Sequence, residues 1–99
     1  MAHRHAATAD SDLDQIWYHT AKETGSVEKA DQLVEFISER FILLSRNPWL
    51  GRRRDRDLLP GLRSFSVGPY VIIYRIEEED VLILHVFHGS RDIESFFRH

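Results

Sequence analysis

Between Pro60 and Asp92 the chain reads as three short strands separated by tight turns. Gly68-Pro69 punctuates the first pair and Glu77-Glu78-Glu79-Asp80 the second, each flanked by β-branched and aromatic residues. Tyr70, Ile72, Tyr74 and Ile76 line one face of the middle strand, and Val71, Ile73 and Arg75 the other. The last strand is apolar on both faces: Leu82, Leu84 and Val86 against Val81, Ile83, His85 and Phe87. A strand apolar on two sides must be covered on two sides. That requirement constrains the fold more than any other feature.

The upstream half supplies one cover. A helix is expected from Thr8 or Asp10, where Thr, Asp and Ser offer N-caps, and Leu13, Ile16, Trp17 and Thr20 share a face. Gly25 stops it and Ser26 caps a second helix, whose stripe runs Val27, Ala30, Val34, Ile37, Phe41 and Leu44, widened by Leu33. Asn47-Pro48 ends that helix. So short a turn makes the pair an antiparallel hairpin. Residues 2–6 form at most a weak first strand. The expected fold is α+β: an antiparallel sheet of three to four strands on a helical hairpin, with a short C-terminal helix, in one domain spanning residues 1–99. The second sheet face is either a groove awaiting a partner or covered by Phe96 and Phe97 folding back.

Composition excludes several classes. At 42% hydrophobic and 29% charged, the chain is a globular domain rather than a disordered tail. No apolar run approaches a membrane span, and the N-terminus lacks the apolar core of a secretory signal. Cysteine is absent, which removes thiolate and disulfide chemistry and fits a reducing, cytoplasmic setting. A net charge of −3 argues against bulk nucleic-acid binding, yet Arg52, Arg53, Arg54, Arg56 and Arg63 crowd one segment, offset only by Asp55 and Asp57. Neither His3-x-His5 nor His85-x-x-His88 makes a convincing metal pair: the first lacks a third ligand, and the second splits across a regular strand. No cofactor or metal is expected.

The words "GLRSF", "YVIIYRI" and "HGSRD", with "DLDQIW" at Asp12–Trp17 and "NPWLGR" at Asn47–Arg52, resemble the ParE branch of the RelE/ParE toxin superfamily over nearly the whole chain from Asp12 to Phe97. The resemblance implies the toxin of a type II toxin–antitoxin pair that inhibits DNA gyrase by protein contact. It also implies a ParD-like antitoxin whose tail wraps the toxin in a hetero-oligomer. The alternatives are a RelE-type ribosome-dependent ribonuclease and a non-toxic interaction module.

A RelE-type enzyme needs cations around the scissile phosphate and groups that move protons. By resemblance, Arg63 and Arg91 fill two of those places, but Val71 stands at the second-strand arginine and Phe97 at the terminal tyrosine. His88 is the remaining acid–base candidate, against the simpler role of hydrogen-bonding turn backbone. The catalytic set is therefore incomplete, and the chain is expected not to be an enzyme. The Arg52–Arg54 run reads as a solvated loop or as a surface for an acidic antitoxin tail, with nucleic acid behind both. The expected partner-binding residues are Arg52, Arg53, Arg54, Arg63, Leu82, Leu84, Val86, Arg91, Phe96 and Phe97.

Overall fold

A computed structural model describes residues 2–97. Strand β1 (His3–His5) leads into helix α1 (Ala7–Thr24) and helix α2 (Val27–Arg46). Four strands follow, β2 (Arg52–Arg53), β3 (Arg63–Val67), β4 (Tyr70–Glu77) and β5 (Asp80–His88), and then helix α3 (Ile93–Phe97). The α+β class and the helical hairpin are as expected, but the sheet is larger and mixed. It has five strands in the order β1-β5-β4-β3-β2. The weak first strand is real and lies parallel to β5, with His3 opposite Val81 and His5 opposite Ile83. The two arginines of β2 extend the other edge, antiparallel to β3.

The turns follow from their residues. Gly68 adopts φ 56° ahead of Pro69, and Val67 pairs with Tyr70 across them. This is a two-residue hairpin in which only glycine is free of strain at the first position. Gly25, at φ 68°, closes α1 with its N–H donating to Ala21, and the Ser26 hydroxyl accepts the Lys29 N–H to start α2. The start of α1 differs from expectation. It begins at Ala7, and its N-cap, Ala6, makes no side-chain bond.

The hydroxyl of Thr8 is used elsewhere, donating to the Leu84 carbonyl at 2.6 Å. One turn on, the Asp12 carboxylate accepts the Val86 N–H at 3.0 Å and meets His85 Nδ1 at 3.0 Å. β1 ends at His5, so from that point β5 has no strand neighbour on the edge away from β4. Thr8 and Asp12, four apart on one helix face, satisfy its open edge instead.

The hairpin buries one face of the sheet. Ala9 and Leu13 of α1 and Ile37, Phe41 and Leu44 of α2 pack on Val67, Ile72, Tyr74, Val81, Ile83 and Val86. Val27, placed on the seam by periodicity, is instead exposed, because it sits on the first turn of α2.

A bulge governs the other face. Ile73 pairs with His85 but Tyr74 with Ile83, so Leu84 has no opposite number. The alternation of β5 shifts there. Leu84 turns away from the hairpin while Val86, two residues on, turns toward it. Leu82, Leu84 and Val86 therefore do not share a face, contrary to the simple period-two reading.

The outer face carries its own cluster, with Ile73 and Phe87 buried beneath Leu58, Leu62 and Ile93, and with Val71, Leu84, Phe96 and Phe97 packed around them. Phe96 and Phe97 do fold back, and two leucines of the arginine-rich loop add cover that the strand pattern did not reveal. Among the described residues, no helix is long and apolar enough to cross a membrane.

Candidate partner-binding site

Beside that outer cluster the cover stops. A groove of about 610 Å³ opens between β2–β3 and α3. Its floor is Ser64 and Ser66 of β3, Val71 of β4 and Ile93 of α3; Arg52 and Arg54 reach it from the β2 segment and Arg91 from the turn before α3. Chain geometry explains the opening. Ser64 and Ser66 alternate with Phe65 and Val67, so β3 turns its apolar side chains to the hairpin and its small polar ones outward. Small residues leave room that a five-residue helix cannot fill.

The three arginines differ in what they can offer. The Arg54 side chain is only 11% exposed, forks onto both Asp57 oxygens at 3.0 and 2.8 Å, and donates to the Ser64 hydroxyl at 3.0 Å. The guanidinium holds the Asp57 carboxyl below the usual carboxylate range, so this charge is already matched. Arg91 stacks over Phe87 at 4.7 Å and Phe96 at 4.9 Å, leaving its charge at the groove rim. Arg52 is exposed on the edge strand, and its charge adds to that of Arg54 in lowering the Asp57 carboxyl. Asp92 and Glu94 also line the groove, and Asp92 accepts the Ser95 N–H and hydroxyl at the start of α3.

The remaining expected site residues scatter. Arg53 and Arg63 lie on the hairpin side of the sheet. Arg53 pairs with Asp55 at 2.8 Å, and Arg63 donates to the Gly51 carbonyl at 2.6 Å and stacks on Trp49 at 5.0 Å. Val86 is sealed under the hairpin, Leu84 is packed within the outer cluster, and Leu82 is half-buried between β1 and β4. Phe97 packs edge-on to Phe96 at 5.2 Å.

His88 takes the turn-bracing arrangement. Its Nδ1 accepts the Ser90 N–H at 3.1 Å, with the Ser90 hydroxyl 2.7 Å away, and the ring meets Tyr70 edge-on. Tyr74, by contrast, is fully buried: its hydroxyl accepts the Gly51 N–H at 2.8 Å and donates to the Pro48 carbonyl at 2.9 Å. Burial pushes that phenol up from its ordinary value.

Asp12, the Ser64–Ser66 pair and Trp49 were not singled out by sequence reasoning. The polar alternation of β3 was the available signal for the serines. Nothing local marks Asp12, whose role depends on where β1 ends. His3 and His5 stack at 5.2 Å, and the described residues contain no group of three or more side chains placed to hold a metal.

Comparison with known proteins bears on this arrangement. The model of the ParE toxin of the type II toxin–antitoxin system parDE matches residues 4–93. The chain belongs to the ParE toxin family. It is 40% identical over 82 residues to Toxin ParE3 of Caulobacter vibrioides, covering 83% of this chain and 80% of that one. It is 29% identical over 87 residues to Toxin ParE1 of Mycobacterium tuberculosis, covering 87% of each.

Among solved structures it resembles a chain of the chromosomal ParDE system from P. aeruginosa with a TM-score of 0.79 at 26% identity, covering 91% of this chain and 97% of that one. It also resembles a chain of the toxin–antitoxin complex RelBE2 from Mycobacterium tuberculosis, with a TM-score of 0.60 at 31% identity and coverages of 88% and 95%. The fold of this chain is thus shared with both of these toxin–antitoxin structures.

Proposed function

We propose that this ParE-family chain is neutralised by a ParD-like antitoxin seated in the groove between β3 and α3, and that the free toxin inhibits DNA gyrase by protein–protein contact. The observation that carries the antitoxin half is the groove itself. Its floor holds Val71 and Ile93, while Arg52 and Arg91 stand at its rim. An extended tail with an apolar side chain and flanking carboxylates matches both properties. The rim charges steer its approach and the floor sets its residence. The gyrase half rests on the family. Both partners would be met in the cytoplasm.

This reading has the toxin act by contact rather than by cleaving RNA. Val71 lines the groove where a RelE-type enzyme would need a cation, and Phe97 is packed against Phe96 where it would need a phenol. The likeness to a RelBE2 chain makes ribonuclease the reading to test against.

One set of experiments separates the two. Purified protein should block gyrase supercoiling and leave RNA and ribosome-bound message intact. Site-specific message cleavage, abolished by His88→Ala, would replace this reading with the enzymatic one. For the antitoxin, Arg52→Glu and Arg91→Glu should slow association and flatten its salt dependence, whereas Ile93→Asp should speed dissociation. Association rates unchanged by both charge reversals would move the tail to another face.

A further inference from the structure

The loop after α2 presents a second surface, on the opposite side of the sheet. The hairpin packs mainly on β1 and β5, so the hairpin-side positions at the start of β3 (Arg63) and the end of β4 (Ile76) are left to this loop. Trp49, 69% exposed, and Leu50, 51% exposed, project from it. Trp49 and Ile76 wall a groove of about 440 Å³ that Leu62, Arg53, Asp55 and Arg63 complete.

The backbone around Trp49 is firmly fixed. Pro48 and Gly51 are both bonded to the buried Tyr74 hydroxyl. Arg63 donates to the carbonyls of Gly51 at 2.6 Å and Trp49 at 3.4 Å while stacking on the indole. A Cβ at Gly51 would overlap the Tyr74 ring, so only glycine allows this approach. The chain thus spends a buried hydrogen-bond network on holding a large apolar ring in water. Isolated exposed apolar residues are ordinary, but an indole pre-set by buried bonds and framed by arginines has the composition and rigidity of an interface hot spot.

We infer that this groove is a docking surface separate from the antitoxin groove, and that it takes an acidic protein surface bearing a projecting apolar side chain. On the reading of the chain as a toxin, that protein is its cellular target, whichever one it is. Charge complementarity selects the occupant. Of the groove's charged side chains two are cationic, Arg53 and Arg63, against Asp55 alone, a local positive excess in a chain of net charge −3. Nucleic acid fits less well. Asp55 lies in the rim, and one face of the indole is already taken by Arg63, leaving less of the stacking platform a base would use.

The test uses the full chain with Trp49→Ala and, separately, Arg53→Glu, both at exposed side chains, measured for thermal unfolding, antitoxin affinity and growth arrest on expression. The expected result is an unchanged unfolding midpoint, unchanged antitoxin affinity, and about tenfold or more protein needed for arrest. Full toxicity of both variants would overturn the inference. So would parallel loss of antitoxin binding, which would assign the groove to the antitoxin. Binding of a single-stranded oligonucleotide at physiological salt, lost in Trp49→Ala, would replace the protein partner with nucleic acid. The outcome is independent of gyrase. A wild-type chain that arrests growth without inhibiting supercoiling would defeat the gyrase proposal and leave the groove to be judged on the same variants.

Discussion

The two faces of the sheet are covered by different means. On one side a hairpin running from Ala7 to Arg46 buries Phe41, Ile37 and Leu44 completely against six strand side chains that are themselves almost inaccessible. On the other a five-residue helix, two loop leucines and a chain of edge-on aromatic contacts protect Ile73 and Phe87 and then give out, leaving an open groove. The first arrangement is a core and needs nothing more. The second is a core only in part, and the unfilled part carries charge. On the proposed reading the antitoxin meets only the outer face, so it can bind or leave without disturbing the hairpin core.

The sharpest way to break that comparison is to truncate a ring on each side. Phe41→Ala removes a fully buried side chain beneath the hairpin and should cost about 3–5 kcal/mol. That is much of the stability a domain of this size has. Phe96→Ala removes a half-buried ring and should cost about 1–2 kcal/mol while weakening antitoxin binding, since Arg91 loses one of its two stacking partners. Chemical denaturation of both variants gives the ratio. Equal losses would mean that the outer face is as much a core as the inner one.

Tyr74 links the inner core to the Trp49 loop, and its hydroxyl lies between these two extremes in effect. Tyr74→Phe leaves the buried Gly51 N–H without an acceptor and should cost about 1–3 kcal/mol. The phenol is raised by burial, so it remains protonated in the fold at pH values where the unfolded chain has begun to ionise. Its contribution is complete below the ordinary value of 10.0 and is lost as pH rises beyond it. Wild type should therefore lose stability above about pH 10 more steeply than Tyr74→Phe. Parallel alkaline profiles would show that the hydroxyl is not held as described.

How far the sequence reached follows the same division. The hairpin, its Gly25 and Ser26 caps and most of its buried stripe were legible because helical period and capping chemistry are local. So was the Gly68-Pro69 hairpin. The bulge at Leu84 was not: nothing in Leu82–Val86 distinguishes a regular strand from a slipped one, and the partner strand fixes the register. That one residue dispersed the expected row Leu82, Leu84 and Val86. The arginines were recognised as a cluster, but β2 alternates like any strand and sends Arg52 to one face and Arg53 to the other. A cluster in sequence became two sites in space. The first strand was underrated because three residues, His3-Arg4-His5, carry little strand propensity, and its pairing with β5 comes from tertiary context.

The smallest expected effect sharpens the contrast within the arginine loop. Asp55 accepts the Gly61 N–H at 2.8 Å and the Arg53 guanidinium at 2.8 Å, and these bonds hold its carboxyl below the ordinary 3.8. Asp57, forked by Arg54, is lowered likewise. A carboxyl lowered in the fold contributes fully above its unfolded value and is lost as pH falls through the folded one. The bracing of both grooves should thus persist through neutral and mildly acidic pH and slacken only below 3.8. Both carboxylates are solvent-accessible, so screening keeps the effect local, and the hairpin-side core should not register it. The Gly61 amide proton reports it directly, because losing its carboxylate acceptor shifts the resonance. An NMR titration should give a midpoint below 3.8 for Gly61, with the amides of Ile37 and Phe41 unmoved over the same range. A midpoint at or above 3.8 would mean that Asp55 does not hold the loop, and that the Trp49 and Arg52 surfaces are set by Tyr74 and Arg63 alone.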